Sequence, residues 1–497
     1  MDFDILINNG EVIDGTGRHG YRADVGIKMG KINFIGDLTD STCLHEIDAT
    51  GMVVCPGFID PHTHVHVDVD KGIMHEDNLV RQGITTVMAG NCGRSGWPIG
   101  EHLQTVDEAG MKQNYATLVG HHTVRWELFG KDNQERILNA LELRQMQDAV
   151  RRGMDEGAFG VTVGYARPWE SSEEVLEFAR PVGELGGVYA SHIRSEDTFL
   201  LAALGEILDI AHHAGCAVQI SHLKTLNRAA WDKLDTVFAM IDKAADRGLQ
   251  VRADRYPYIG WHGGSTNALP PVAYRIKAQR GEWENLYDDD VEQLIREHLQ
   301  RMWDDRGGPD TILFCSMAEP RPEVEGKHAA QLAEEWDCDL LEVGIRLEKM
   351  GKISAIGLTM SEENLKRILS HPLVGVGTDG HLVSDRRLQT HPRNYATFPR
   401  VLAKYVRDEQ VVELPEAIWK MSGMIAEQFG ITDRGFLKED LAADVVVFDP
   451  ETVQDTADFR DAHQYPEGLP HVIVNGQFAV RDGETQPENH GHALQRS

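Results

Sequence analysis

Several things are missing from this chain, and each absence narrows what it can be. The first residues, "MDFDILINNGEVIDG", hold no basic segment leading into an apolar core, so the sequence predicts no secretory leader. No uncharged apolar run is long enough to cross a bilayer. The six cysteines, Cys43, Cys55, Cys92, Cys216, Cys315 and Cys338, form no CxxC pair and are scattered through 497 residues. That usage predicts free thiols in a cytoplasmic, reducing compartment. Cations are scarce as well: 49 Lys and Arg against 79 Asp and Glu give a formal net charge of -30. Such a field disfavours nucleic acid or an anionic membrane as partner. It also means that an anionic substrate needs locally placed positive groups. Nothing in the sequence bears on oligomeric state.

What is present reads as a folded protein, 41% hydrophobic and 26% charged, too long for one small core. Both ends carry short alternating strands with turn signals, among them "DILINNGEVID" and "ADVGIKMGKINFIG" early and "AADVVVFDP" and "HVIVNGQFAV" late. The middle alternates apolar strands with amphipathic helical stretches. Eight strand candidates follow one another there: "VVCPGFID", "ITTVMAG", "YATLVG", "FGVTVG", "GVYASH", "AVQISH", "QVRADRY" and "LVGVGTD". Eight βα units predict an α/β fold, a (β/α)8 TIM-like barrel. A small β-sandwich domain is expected from both termini, with an insertion after barrel strand seven. The expected division is 1–55 for the N-terminal part of the sandwich, 56–435 for the barrel with its insertion at about 260–356, and 436–497 for the C-terminal part and tail.

Barrels of this kind gather reactive groups at the C-terminal ends of their strands. In "PGFIDPHTHVHVD", His62 and His64 follow candidate strand one, with His66 two residues further. Cys92 follows strand two, His192 strand five, His222 strand six and Asp379 strand eight. A lone buried histidine is ordinarily a hydrogen-bonded core residue. Six donors at equivalent strand ends predict a metal site instead. Imidazole with thiolate suits Zn²⁺ better than Mg²⁺ or Ca²⁺. With Asp379 able to accept and return a proton, the set describes metal-assisted hydrolysis of an amide, ester or related bond. His121–His122 and His212–His213 are adjacent pairs, so at most one of each could face a shared site from a strand. The second pair reads as helix surface.

The segments "PGFIDPHTH", "GNCG", "SHIRSE", "SHLK", "GTDG" and "HPRNYATFPRVLAKYVRD", with the late run "MSGMIAEQFGITDRGFLKEDLAADVVVFDPETVQDTADF", resemble the D-aminoacylase (N-acyl-D-amino-acid deacylase) family of the amidohydrolase superfamily. The resemblance implies one tightly held zinc on Cys92, His192 and His222, and a second, weaker metal position on His62, His64 and Asp379. The cysteine stands where many relatives use a carboxylated lysine, and "FGVTVGYA" indeed offers no lysine. It further implies that Arg393, Lys224 and Tyr165 hold a substrate α-carboxylate, which answers the charge puzzle, since arginine can grip a carboxylate through two parallel hydrogen bonds. Tyr256 and Ser265 lie where the family has further substrate contacts.

The implied reaction removes the acyl group from an N-acyl-D-amino acid, with zinc-activated water as nucleophile and Asp379 as general base and then acid. The alternatives are a cyclic amide, lactone or carbamate as substrate, or a barrel that binds without catalysis. The family's side-chain pocket draws on the loop after strand seven and the insertion. There Arg255, Arg275 and Lys277 suit an acidic side chain, and Trp261 and Leu269 an apolar one. His66 is expected in a loop or behind the ligands, with the lining of the substrate pocket as the alternative.

Overall fold

The computed structural model describes residues 2–496 apart from 132–133, 165–166, 168, 265–288, 317–318 and 352. Its centre is the expected parallel barrel. The strands are Phe58–Asp60, Ile84–Ala89, Asn114–Thr117 (resuming at Val119–Gly120), Gly160–Val163, Val188–Ser191, Ala217–Ile220, Val251–Arg255 and Val374–Val376. Each pairs in parallel with the next, and every residue of these strands but Ala217 and Arg252 is buried. Strands covered on both faces need such continuous apolar runs rather than alternation. The ring closes beyond the last strand. The Asp379 amide donates to the His62 carbonyl at 2.8 Å, and the His64 amide to the Gly380 carbonyl at 2.7 Å.

The helices between strands form for local reasons. Asn139 caps Ala140–Asp155 by accepting from the amides of Leu141 and Glu142, while Glu142 accepts from the Asn139 amide. Three otherwise orphaned donors are satisfied in this way. The helix then buries Met146, Ala149, Val150, Gly153 and Met154, one face at helical spacing.

Both ends of the chain build one nine-stranded sheet, in which Val53–Pro56 runs antiparallel to Val445–Phe448 and joins the two halves. Its core includes Ile5, Ile7, Val25, Ile27, Val54, Val445, Val447 and Ile473. "VVCPGFID" thus divides. Val53–Pro56 belongs to this outer sheet and Phe58–Asp60 to the barrel, with Gly57 at the change. A Cβ on Gly57 would lie 2.2 Å from Thr85 Oγ1, so only glycine fits there. The end of the chain returns to the barrel, where the Tyr115 amide donates to the His492 carbonyl and the Leu494 amide to the Tyr115 carbonyl.

After strand seven the chain forms an antiparallel sheet ordered Gly260–Gly264, Ile353–Leu358, Ile312–Ser316. The helices Asp289–Arg306, Ala329–Glu335 and Leu340–Met350 belong to the same insertion. It has its own core around Trp303, Phe314, Leu332 and Leu347, continuous with Tyr256, Tyr258 and Trp261 from the barrel mouth. No helix among the described residues is long and apolar enough to cross a membrane.

Asp444 ties the outer sheet to the barrel. Its Oδ2 accepts from Arg434 at 2.5 Å and Asn114 at 3.0 Å, its Oδ1 from the Asn475 amide at 2.7 Å, and its carbonyl from the Gly57 amide at 2.8 Å. Asp444→Ala leaves the buried Arg434 with Asp433 as its carboxylate partner and frees the Asn114 and Asn475 donors, and the expected loss of unfolding free energy is about 1–3 kcal/mol. Denaturant titration measures it, and a change near zero would remove Asp444 as the tie.

Candidate metal centre

The site is assembled by turns that leave the barrel strands. Buried Asp60, at the end of strand one, accepts from the His62 and Thr378 amides at 3.1 and 3.0 Å and from Thr378 Oγ1 at 2.5 Å. One carboxylate therefore sets the register of the segments carrying His62 and Asp379. Burial pushes Asp60 up to about 7 against these hydrogen bonds. Cys92, His222 and Asp379 all have positive φ, at 52°, 38° and 52°. For residues with a Cβ this is a strained conformation that the surroundings must enforce. Close packing does so at Cys92, because a Cβ on Gly164 would lie 1.9 Å from the Cys92 carbonyl oxygen.

The result is a tight cluster. Cys92 Sγ lies 3.5 Å from His62 Nε2, 3.7 Å from His192 Nδ1 and 4.0 Å from His222 Nε2. Asp379 Oδ1 lies 2.9 Å from His64 Nε2 and 3.5 Å from His62 Nε2, and Asp379 Oδ2 accepts from Arg393 at 2.7 Å. Burial alone would push the Cys92 thiol up. Positive charge on His62 and hydrogen bonds from His192 and His222 outweigh it and hold the thiol well below its ordinary value. Burial would likewise raise Asp379, but Arg393, His222 and His64 hold it well below the usual carboxylate range. A thiolate, four imidazoles and a carboxylate aimed at one small volume fit Zn²⁺ in softness and geometry. Three overlapping groups of donor atoms come together: Cys92 with His192 and His222, His62 with His222 and Asp379, and His62 with His64 and Cys92.

A separate grouping, His121, His122 and Glu170, is engaged otherwise. His121 pairs with Glu174 at 3.0 Å, Glu174 is bound by Arg125, and Glu170 takes both His122 at 3.2 Å and the Arg167 amide at 2.7 Å. Both histidines sit in the first turn of helix His121–Phe129, not on a strand. His212 and His213 are exposed on helix Leu200–Ala214.

Residues 45–480 match the amidohydrolase family. The chain belongs to that family, in its D-aminoacylase branch. It is 32% identical to a D-aminoacylase of Alcaligenes xylosoxydans xylosoxydans, covering 100% of this chain and 98% of the relative. It is 34% identical to an N-acyl-D-glutamate deacylase of the same organism, over 95% and 93%. Among solved structures it resembles an N-acyl-D-glutamate deacylase of Bordetella bronchiseptica complexed with zinc and a phosphonate mimic of the tetrahedral intermediate. That likeness has a TM-score of 0.83 at 31% identity and covers 100% of both chains.

In this amidohydrolase the three imidazoles of "HTHVHVD" do not share a strand face. Val65–Val69 is a short helix, which turns His66 behind the cluster, where its Nδ1 accepts from the Gly90 amide at 3.2 Å. The expectation of a loop at His66 is corrected to a helical turn; its place behind the ligands agrees with the expectation. Arg393, Lys224 and Tyr256 converge, with Arg393 Cζ 5.0 Å and Lys224 Nζ 5.8 Å from the Tyr256 ring centre. Lys224 is not free, being paired with Glu196 at 2.5 Å. Tyr165 and Ser265 lie outside the described residues, as do Leu269, Arg275 and Lys277. Arg255 stacks 4.2 Å from the Tyr256 ring centre and donates to the Tyr258 carbonyl, and Trp261 donates to Thr359.

Sequence reasoning passed over three carboxylates. Asp60 precedes the HxH pair. Asp254 Oδ1 accepts from the His222 amide at 2.8 Å and lies 3.4 Å from His62 Nδ1. Glu196 stands behind His192 and His222. All three lie in strand-end segments, "GFID", "VRADRY" and "SHIRSE", and lying at a strand end was the only signal available for them. With Co²⁺ in place of zinc, the protein should show a near-ultraviolet thiolate-to-metal band that Cys92→Ala abolishes. An unchanged band in that variant would exclude Cys92 as a ligand.

Proposed function

We propose that this amidohydrolase is a zinc-dependent deacylase that hydrolyses N-acyl-D-amino acids to a carboxylate and a free D-amino acid. The observation that carries the reading is the meeting of the donor cluster with cationic and aromatic groups at one barrel mouth: Asp379, in contact with His62 and His64, is bound on its other oxygen by Arg393. The similarity to a zinc-containing deacylase over the full length of both chains supports it.

Cys92, His192 and His222 would hold the tightly bound zinc, and His62, His64 and Asp379 a second, weaker one. Zinc there supplies a Lewis acid that polarises a carbonyl and acidifies water. Arg393 and Lys224 receive the substrate α-carboxylate, and Tyr256, beside both, makes a further substrate contact. Arg393 commits one nitrogen to Asp379 and leaves its buried Nε without a partner, so it has capacity for a further acceptor. By resemblance Tyr165 is assigned to the same end, and Ser265 to a further substrate contact. Asp379 takes the proton of the attacking water as the new C–O bond forms and returns it to the leaving nitrogen as the amide C–N bond breaks. Its carboxylate is ionised in the resting site for the reasons given above. Arg393 fixes its orientation, so that the base and the substrate carboxylate share one anchor.

We assign the enzyme to the cytoplasm, because all six cysteines are free thiols. Its partner is the small-molecule substrate, and the charge of -30 supports no role with nucleic acid or membrane.

Asp379→Asn is expected to keep tightly bound zinc yet lose turnover by about 10³-fold or more, in the range of general acid–base catalysis. Near wild-type turnover in that variant would remove Asp379 from the mechanism. Arg393→Ala should raise KM for N-acyl-D-amino acids strongly, through the lost charge-assisted contact. Unaltered KM there would favour a cyclic amide, lactone or carbamate substrate.

A further inference from the structure

We infer that Glu196 is a positioning residue that couples the zinc side of the site to its substrate-carboxylate side. The inference rests on the deacylase reading above and concerns a residue to which that reading gives no part.

Two histidines present one ring nitrogen to Cys92 and the other to Glu196. His192 places Nδ1 3.7 Å from Cys92 Sγ and Nε2 3.8 Å from Glu196 Oε2. His222 places Nε2 4.0 Å from Cys92 Sγ and Nδ1 3.0 Å from Glu196 Oε1. One buried carboxylate therefore backs both rings. A carboxylate behind a ligating imidazole fixes ring orientation and strengthens the ligand. The same Oε1 accepts from Lys224 Nζ at 2.5 Å. Lys224 is also 2.6 Å from His222 Nδ1, so His222 and Lys224 compete for one oxygen and their positions are linked.

Glu196 is itself held rigidly. Its carbonyl accepts from the Leu226 amide at 2.8 Å, which ties the loop after strand five to the loop after strand six. Arg194, two residues earlier, is pinned by Glu206 at 2.7 Å. Without the Glu196 charge, the His222 ring loses its close carboxylate, His192 loses a carboxylate at ion-pair distance, and Lys224 loses the group that keeps its ammonium beside Tyr256.

The two halves can be separated experimentally. Glu196→Ala removes both supports, whereas Glu196→Gln keeps an acceptor for His222 and removes the charge that holds Lys224. Zinc affinity is read by chelator competition without substrate, and kcat and KM are read on an N-acyl-D-amino acid at saturating zinc. Glu196→Ala should weaken zinc binding by about 10–100-fold, and it should raise KM while kcat stays within a few-fold of wild type. Glu196→Gln should raise KM similarly with the smaller loss of zinc affinity. In a Lys224→Met background the Gln exchange should no longer move KM.

Wild-type zinc affinity and KM in both Glu196 variants would overturn the inference, as would a fall in kcat with KM unmoved. If the Ala protein does not fold, the Gln variant and its double mutant with Lys224→Met decide alone. If wild-type protein turns over no N-acyl-D-amino acid, the deacylase reading fails. The zinc arm then still decides whether Glu196 supports the ligand rings.

Discussion

Closure of the barrel between its last strand and its first is the contact on which the site depends. Asp60 holds the Thr378 and His62 amides with one oxygen and the Thr378 hydroxyl with the other, and the adjoining Asp379 and His64 amides complete the seam. These bonds decide which residue of strand eight stands beside which histidine of strand one. Asp379 follows Thr378 directly, so the bonds that Asp60 makes to Thr378 and to the His62 amide hold Asp379 beside His62 and His64. The same seam bonds hold Asp379 at its positive φ, while Gly164 packs against Cys92 and Asp254 accepts from the His222 amide.

The electrostatics follow from that placement. The chain carries a large negative charge, yet the mouth of the barrel concentrates cations around Tyr256, with Arg255, Arg393 and Lys224 within 5.8 Å of its ring centre. Two of these are matched to site carboxylates, Arg393 to Asp379 and Lys224 to Glu196. An anionic substrate meets positive groups that are already oriented, which lowers the cost of ordering them on binding. The chain builds locally what its overall composition opposes.

Much of this was legible in the sequence because strands end where chemistry begins. The eight apolar runs pointed to the barrel, and the residues that follow five of them are the six side chains that the structure brings together. Three things were not legible, each for a physical reason. "VVCPGFID" reads as one strand, but the close approach of Gly57 to Thr85 splits it between two sheets, and such contacts are tertiary. "HTHVHVD" alternates like a strand, yet the chain turns helical at Val65 once His64 has bonded across the seam to Gly380. Asp254 and Glu196 carry no spacing signature, since their role is defined by the ring nitrogens facing them across strands.

The most direct measurement of the central claim is amine release from paired D and L forms of N-acetyl-methionine, -leucine, -phenylalanine, -aspartate and -glutamate by zinc-loaded protein. The expected result is turnover confined to the D forms, with the best side chain identifying the pocket's chemistry. Turnover of L forms, or none on any substrate from protein shown to contain zinc, would contradict the account.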